Sequence, residues 1–420
     1  MLDQELPLDL VNERLPTNLR PCPPPQPNPL PSFWTSNYSG HLKNANSTTP
    51  LPKEDVDIVI IGSGLTGSCV AAHLVDGWLE QRKRLALGED AVGEKGLSIV
   101  VLDAREFCSG ATGRNGGHLT PAPRFNFKSI SEASSVDDAK RSVELEDRAA
   151  AWVIETCVAE NWEDDVDLVQ GGCVRFFKDQ AREDAVRVQL NAAKAAGVDI
   201  LACTWLSADE ALRDYGATTH SALRIPGNNL FPLKFVSKIF TRAQERCSGT
   251  GLSLDLFTSA MVNSITPSKS RTSSRSSSTA ARWTVKTSRG NISAHRIVHA
   301  TNAYASHLLP SLASGPHCIV PTRGQVIAVT PSPSSNPRWT SAFSASESFE
   351  YFFQRKNGGP VILGGGRAFA GPRFEYGIVD DGKVSKVVGG ALREYLGDQF
   401  PKWFGEEEGK FGMEWTGIMG

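Results

Sequence analysis

The sequence predicts an α/β fold with more than one domain, and three observations support this. The chain has 420 residues, and domains commonly hold about 100–200 residues each. Residues 57–103 have the pattern of a strand, a glycine turn, a helix and a second buried strand, which is a βαβ unit. Strand and helix patterns then alternate along the chain.

The composition excludes several classes of function. The net charge of −2 favours neither nucleic acid nor an anionic membrane as a partner. The sequence has no apolar run long enough for a transmembrane helix, and its first ten residues lack the apolar core of a signal peptide. None of the eight cysteines form a CxxC pair, so no metal site is predicted. We expect a reduced, cytoplasmic protein.

Residues 1–54 form a leader rich in proline and polar residues. This composition is typical of a flexible tail. Phe33, Trp34 and Tyr38 favour a different structure, because large aromatic rings are costly to leave in water. An extended arm packed on the domain surface is therefore the alternative.

The segment DIVIIGSGLTGSCVAAHL (57–74) contains the pattern GxGxxG between a strand and a helix. Gly62 permits a tight turn, Gly64 lets a phosphate approach the backbone, and Gly67 lets the helix pack closely on the strand. The helix N-terminus then offers N–H groups and partial positive charge to a pyrophosphate. The segment predicts dinucleotide binding, with a purely structural βαβ turn as the alternative.

An acidic residue after the second strand commonly binds a ribose in such units. Asp103 ends the second strand, beyond a polar stretch at 77–97 that lengthens the usual spacing. The acid argues against NADP, although Arg105 weakens that argument. The position of this acidic residue along the chain does not distinguish an NAD-binding unit from an FAD-binding unit.

A glycine-rich segment follows, REFCSGATGRNGGHLTP (105–121). Its glycines would let backbone N–H groups line a flat or anionic ligand, and Arg114 could offer its guanidinium to a phosphate. A generic flexible loop is the alternative.

The remaining elements follow from periodicity and from turn residues. Helices are predicted over 136–160, over 179–197, and from Pro232 to about Cys247. Strands are predicted over 171–177 and in two segments on either side of a serine-rich stretch at 266–282. That stretch and a second one at 330–338 are predicted to be loops, the first of them disordered.

Six motifs occur in an order that resembles the D-amino-acid-oxidase-like family of FAD-dependent oxidoreductases. They are DIVIIGSGLTG, VVLDA, CSGATGRNGGHLTP, IVHATNAYASHLLP, PTRGQVIAV and YFFQRKNGGPVILGGGR. The glutamylputrescine-oxidase-like branch looks nearest, and the leader resembles that of fungal members. The resemblance implies a Rossmann-like FAD-binding domain of the glutathione-reductase type, interleaved with a mixed-sheet α+β substrate domain.

The resemblance also implies which residues bind FAD. The glycine turn would hold the pyrophosphate, the end of the second strand would bind adenosine, and the glycine-rich loop would pass the pyrophosphate and the ring. Asn115 stands near the histidine that tethers FAD in some relatives, so the resemblance implies non-covalent FAD. His118 is either near the ligand or an ordinary loop histidine. The implied residues are Gly62, Ser63, Gly64, Leu65, Thr66, Gly67, Asp103, Ala104, Arg105, Arg114, Asn115, Gly116, Gly117, Val262, Ala300, Thr301 and Asn302.

The chemistry implied is oxidation of a C–N bond in an amine or amino acid by hydride transfer to flavin, with O2 or another acceptor reoxidising it. No general base is assigned. The substrate-side candidates are Arg323, Tyr351, Phe352 and Arg367. A flavin monooxygenase using NAD(P)H is an alternative, for which only Gly397 and Asp398 offer a late Gly-Asp pair.

The expected division places 55–125, 225–305 and 361–420 in the FAD-binding domain. Residues 126–224 and 306–360 would form the substrate domain. Family members continue beyond the segment EWTGIMG, where this sequence stops, with a stretch that closes over the flavin ring. The expectation is therefore a shortened chain, with a flavin-poor or inactive relative as a further alternative.

Overall fold

The computed structural model describes residues 20–84, 96–200, 202–268, 282–331, 336–345, 350–404 and 410–420. Within them, helices cover the faces of two large sheets. In chain order the strands are β1 (Val56–Ile61), β2 (Ser98–Leu102), β3 (His118–Leu119), β4 (Cys173–Phe177), β5 (Thr204–Ser207), β6 (Ser221–Ile225), β7 (Asn228–Asn229), β8 (Ser253–Phe257), β9 (Val262–Pro267), β10 (Trp283–Thr287), β11 (Gly290–His299), β12 (Thr322–Thr330), β13 (Ala342–Ala345), β14 (Tyr351–Gln354), β15 (Val361–Gly365) and β16 (Lys410–Met419). The helices are α1 (Phe33–Ser36), α2 (Leu65–Arg84), α3 (Phe127–Ala133), α4 (Val136–Ala159), α5 (Gln180–Ala195), α6 (Ala208–Tyr215), α7 (Pro232–Cys247), α8 (Ala305–Leu308), α9 (Lys386–Gln399) and α10 (Pro401–Phe404).

The first sheet has the strand order β8-β2-β1-β11-β10-β9. Its central strand β1 runs parallel to both β2 and β11, with Ile60 opposite Val101 and Val298. The connection from β1 to β2 includes α2, which packs against α7. The predicted βαβ unit is confirmed, and α7 begins at Pro232 and ends at Cys247 as predicted.

The second sheet has the order β16-β12-β15-β14-β13-β4-β6-β5. Its neighbours are antiparallel except β4 and β13, which confirms a mixed sheet. β15 and β16 both pair with β12, so they belong to this sheet. The expected grouping of 361–420 with the FAD-binding segments is therefore wrong for these two strands. Pairing between strands that are distant in the chain decides which sheet a strand joins, and the hydrophobic pattern within one strand does not predict that pairing.

The described part of the leader, 20–54, is packed rather than loose. Trp34 is 0% exposed and Leu42 is 1% exposed, and both belong to the main hydrophobic core. Ser32 and Thr35 form a capping box that starts α1. The arm alternative is confirmed for 20–54, and the flexible tail is wrong there, because burying the aromatic rings outweighs the entropy of a free chain. Residues 1–19 lie outside the described residues.

The serine-rich segments are only partly described. β9 extends through Pro267, so the first residues of the predicted loop at 266–282 belong to a strand. Residues 269–281 lie outside the described residues, as do 332–335 in the second predicted loop.

In the described ranges, no helix is both long enough and apolar enough to cross a membrane. α4 has 24 residues and α2 has 20. α2 ends in Arg82, Lys83 and Arg84.

Candidate cofactor and substrate site

The glycine turn places the start of α2 against the ends of the parallel strands. Gly62 has a φ of 107°, and a Cβ there would lie 2.4 Å from the Ala300 carbonyl oxygen. A Cβ on Gly67 would lie 1.9 Å from the Gly62 carbonyl oxygen. Both positions therefore require glycine, and they bring strand and helix close together. The first N–H groups of α2 have no partner within the helix and can meet an anion.

A cavity of about 630 Å³ lies at the carboxyl ends of β1, β2 and β11. This is the crevice where open α/β sheets bind ligands, and the volume is within the usual range of roughly 300–1,000 Å³. The predicted cofactor residues on its wall are Gly62, Gly64, Leu65, Thr66, Asp103, Ala104, Arg105, Asn115, Val262, Ala300, Thr301 and Asn302.

Asp103 ties the end of β2 to the glycine turn. Its Oδ2 accepts hydrogen bonds from the Ser63 backbone N at 2.9 Å and from the Ser63 hydroxyl at 2.6 Å. Its Oδ1 accepts from the Arg105 N at 3.0 Å. A carboxylate has about four acceptor positions, so Asp103 can still accept a ribose hydroxyl. The Ser63 side chain is buried beneath the turn, where it also accepts from the Cys108 N.

Arg105 and Arg114 turn their guanidinium groups towards a buried carboxylate. Asp381 is 1% exposed, and its Oδ2 lies 2.9 Å from Arg105 Nη1 and 3.6 Å from Arg114 Nε. Arg114 also donates to the carbonyl oxygens of Ser109 at 2.9 Å and Thr416 at 2.7 Å. Burial lowers the pKa of Arg114 to about 10. The expectation that Arg114 offers its guanidinium to a phosphate is therefore wrong, because the protein's own acceptors already bind that group.

The glycine-rich loop connects the cavity to the second sheet. Thr112 lies on the cavity wall, and its Oγ1 accepts from the Leu65 N at the start of α2 at 2.9 Å. A Cβ on Gly116 would lie 2.1 Å from the ring of Tyr351. Gly117, with a φ of 75°, turns the chain away towards β3. The loop is therefore an ordered wall with one side on the cavity, which contradicts the generic flexible loop.

Three residues on the cavity wall carry buried polar atoms with no hydrogen-bond partner among the described residues. These atoms are His299 Nδ1, Thr301 Oγ1 and His307 Nε2. Burial lowers the pKa of His299 and so favours its neutral form. Native proteins seldom leave such atoms unpaired, so their position fits a polar ligand in the cavity.

Tyr351 and Phe352 are neighbours on β14, so their side chains lie on opposite faces of the sheet. The Tyr351 ring covers Gly116 and lies beside the glycine-rich loop. Phe352 is 0% exposed, and its ring lies 4.9 Å from that of Phe343 in the hydrophobic core. The expectation that Phe352 lines a pocket is therefore wrong.

The two candidate arginines have different surroundings. Arg323 donates through Nε to Glu375 Oε2 at 2.5 Å and so holds the segment before α9, rather than facing the cavity. Arg367 follows β15, three residues after Gly364, which is the residue opposite Tyr351 on the neighbouring strand. Burial raises the pKa of Tyr351, and the positive charge of Arg367 opposes that rise.

His118 lies behind Tyr351 rather than on the cavity wall. The two rings are 5.4 Å apart in an edge arrangement, and His118 Nε2 lies 3.3 Å from the Phe343 carbonyl oxygen. Burial lowers the pKa of His118, which favours a neutral imidazole.

The comparison with protein families determines the class of ligand. The family model DAO, described as FAD dependent oxidoreductase, matches residues 57–420. The chain belongs to this family. It is therefore an FAD-dependent oxidoreductase, and its cofactor is FAD.

Solved structures share the fold. Glycine oxidase from Geobacillus kaustophilus has a TM-score of 0.58 at 17% identity, with 87% of this chain and 83% of that chain covered. L-Proline dehydrogenase from P. horikoshii gives 0.59 at 18%, covering 88% and 82%. The L-α-glycerophosphate oxidase from Mycoplasma pneumoniae with FAD bound gives 0.56 at 12%, covering 87% and 83%. The search of curated proteins returned no match.

The residues of the cavity fit FAD. The glycine turn and the start of α2 suit a pyrophosphate, and Asp103 stands at the strand end where a ribose is bound. Gly397 and Asp398 lie inside the helix α9. A flavin monooxygenase would need such a Gly-Asp pair in a strand-to-helix connection near the flavin, so this position argues against that alternative.

Sequence reasoning missed several residues of the site, and Asp381 and Thr112 are two that shape it. Asp381 lies in an Asp-Asp-Gly stretch with no recognisable motif, and its role depends on two arginines far along the chain. Thr112 lies within the glycine-rich segment, where a hydroxyl among flexible residues could have drawn attention.

Proposed function

We propose that this enzyme oxidises the C–N bond of a small amino acid or amine. When bound, FAD supplies the hydride acceptor, and the protein supplies binding and orientation. Two proteins with a similar structure are a glycine oxidase and an L-proline dehydrogenase, and both of those proteins act on amino acids. We further propose, from the sequence resemblance, that the chain lies near the glutamylputrescine-oxidase-like branch and binds FAD non-covalently.

The position of Tyr351 beside Gly116 carries the proposal, together with Arg367, which comes three residues after Gly364, the β15 partner of Tyr351. A phenol and a guanidinium are groups that bind a carboxylate. Burial keeps Tyr351 protonated, so its hydroxyl can donate a hydrogen bond. Arg367 would orient the substrate through its carboxylate, which favours amino acids over simple amines.

The test uses the FAD-loaded enzyme with matched substrate pairs, each an amino acid and the amine left by removing its carboxylate. Turnover is followed by peroxide release and, in parallel, by reduction of a dye acceptor. We expect kcat/KM for the amino acid to fall roughly 10- to 150-fold in Arg367→Met, because the variant loses one hydrogen bond to a charged group. We expect a fall of about 2- to 12-fold in Tyr351→Phe.

Arg373→Met is the control, because Arg373 is an exposed arginine on the same segment. If Arg367→Met lowered kcat/KM equally for both members of a pair, Arg367 would not recognise the carboxylate. Failure of the FAD-loaded wild type to oxidise any amine or amino acid would refute the substrate class itself.

A further inference from the structure

The leader reaches the outer side of the glycine-rich loop. Ser32 Oγ donates to the Gly113 carbonyl oxygen at 2.5 Å, and Trp34 Nε1 donates to the Asn115 carbonyl oxygen at 2.6 Å. Ser32 and Trp34 are both 0% exposed. The leader therefore makes specific polar contacts with this loop, in addition to apolar packing.

Three successive loop carbonyls are held by side chains from distant segments. The leader holds those of Gly113 and Asn115, and Trp415 Nε1 on β16 donates to the carbonyl of Arg114, between them, at 2.9 Å. The inner side of the same loop, at Thr112 and Asn115, lines the cavity. The loop lies between these anchors and the cofactor site.

The loop needs such anchors because of its composition. Gly113, Gly116 and Gly117 leave a backbone with many accessible conformations, and ordering it opposes binding. Fixing a loop in its bound conformation before the ligand arrives removes that cost from binding.

We propose that the leader is a positioning element for the FAD-binding loop, and that the Trp34 indole N–H is the contact through which it acts. Removing this N–H leaves the Asn115 carbonyl without its donor from the leader, so the loop samples other conformations. Trp34→Phe keeps the aromatic packing against Phe231, whose ring lies 4.8 Å away, and removes only the donor. The proposal rests on FAD binding in this cavity and is independent of the substrate.

A purely structural role for the leader predicts a different result, and Tyr38→Phe distinguishes the two. Tyr38 lies on the same arm and is 8% exposed, but its hydroxyl bonds to Ser237 on α7 at 2.9 Å. Both variants remove one hydrogen bond between leader and body, and only Trp34→Phe removes one to the loop.

The experiment compares flavin-stripped wild type, Trp34→Phe and Tyr38→Phe. FAD affinity is measured by quenching of flavin fluorescence, and amide hydrogen exchange is followed in the peptide covering 110–117. We expect the FAD dissociation constant of Trp34→Phe to rise about 2- to 12-fold, with faster exchange in the loop before FAD is added. Tyr38→Phe should match wild type in both measurements.

Equal affinity and equal loop exchange in Trp34→Phe and wild type would overturn the proposal, as would equal losses in the two variants. Wild type that takes up no FAD would instead refute the assignment of the cavity. If Trp34→Phe does not fold, Ser32→Ala, which removes the donor to Gly113, is measured in its place with the same expectation.

Discussion

Asp381→Asn tests how the buried charges beside the cofactor cavity are balanced. Asp381 is 1% exposed and is shared by Arg105 and Arg114, whose nearest nitrogens lie 2.9 and 3.6 Å from one carboxylate oxygen. Asparagine has nearly the same shape but no charge, so both guanidinium groups would stay buried without their counter-charge. Removing one partner of a buried ion pair typically costs about 3–5 kcal/mol.

Asparagine keeps one acceptor for Arg105, so we expect the lower end of that range, about 3 kcal/mol. The assay is urea unfolding at pH 7 followed by tryptophan fluorescence, with the free energy of unfolding obtained by linear extrapolation.

The matched control is Asp380→Asn, one residue earlier. Asp380 pairs with Lys383 at 3.1 Å, and the Lys383 side chain is 78% exposed. Exposed pairs contribute about 0–1 kcal/mol, so this variant should lose at most about 1 kcal/mol. Similar losses in the two variants, or a loss below about 1 kcal/mol in Asp381→Asn, would show that the buried carboxylate does not carry the stability assigned to it.

Two further predictions concern the turn and the pH dependence. Gly67→Ala places a Cβ 1.9 Å from the Gly62 carbonyl oxygen, so it should abolish detectable FAD absorbance in the purified protein. In the same helix, a Cβ on Gly77 meets nothing within 4 Å. Gly77→Ala should therefore raise the free energy of unfolding in urea by up to about 1 kcal/mol. Because the pKa of His118 lies below its usual 6.5 in the folded protein, its contribution to stability is present above pH 6.5 and is lost as the pH falls below it. In the free energy of unfolding measured across pH 7 to 5, His118→Gln should therefore show a shallower decline than wild type, by at most about 1.4 kcal/mol per pH unit. An unchanged slope in His118→Gln, or full FAD binding by Gly67→Ala, would contradict these assignments.

Local pattern was sufficient for the first βαβ unit, for helix α7 and for the cofactor turn. A buried strand, glycines at fixed spacing and a following helix are properties of adjacent residues, and α7 begins and ends where Pro232 and the periodicity place it. Side-chain roles that depend on distant partners could not be predicted in this way. Arg114 has the residue type of a phosphate ligand, yet it binds carbonyls and a carboxylate that only folding brings near.

The same distinction holds for the leader and for the second sheet. The composition of the leader was compatible with either a flexible tail or a packed arm. The structure shows a packed arm over 20–54, in which Trp34 donates to an acceptor 81 residues away in the chain. Alternation along β14 requires Tyr351 and Phe352 to face opposite ways, but it does not say which face meets the loop.

By itself the sequence determined the α/β class, the dinucleotide turn and, through the order of its motifs, the FAD-dependent family. The tertiary structure alone decided that Tyr351 covers Gly116 while Phe352 fills the core, and that Asp381 pairs with both Arg105 and Arg114. The physical reason is the distance along the chain over which each kind of interaction acts. Strand and turn preferences are set by neighbouring residues, whereas ion pairing joins residues that are far apart in the chain, such as Arg105 and Asp381, which are separated by 276 positions.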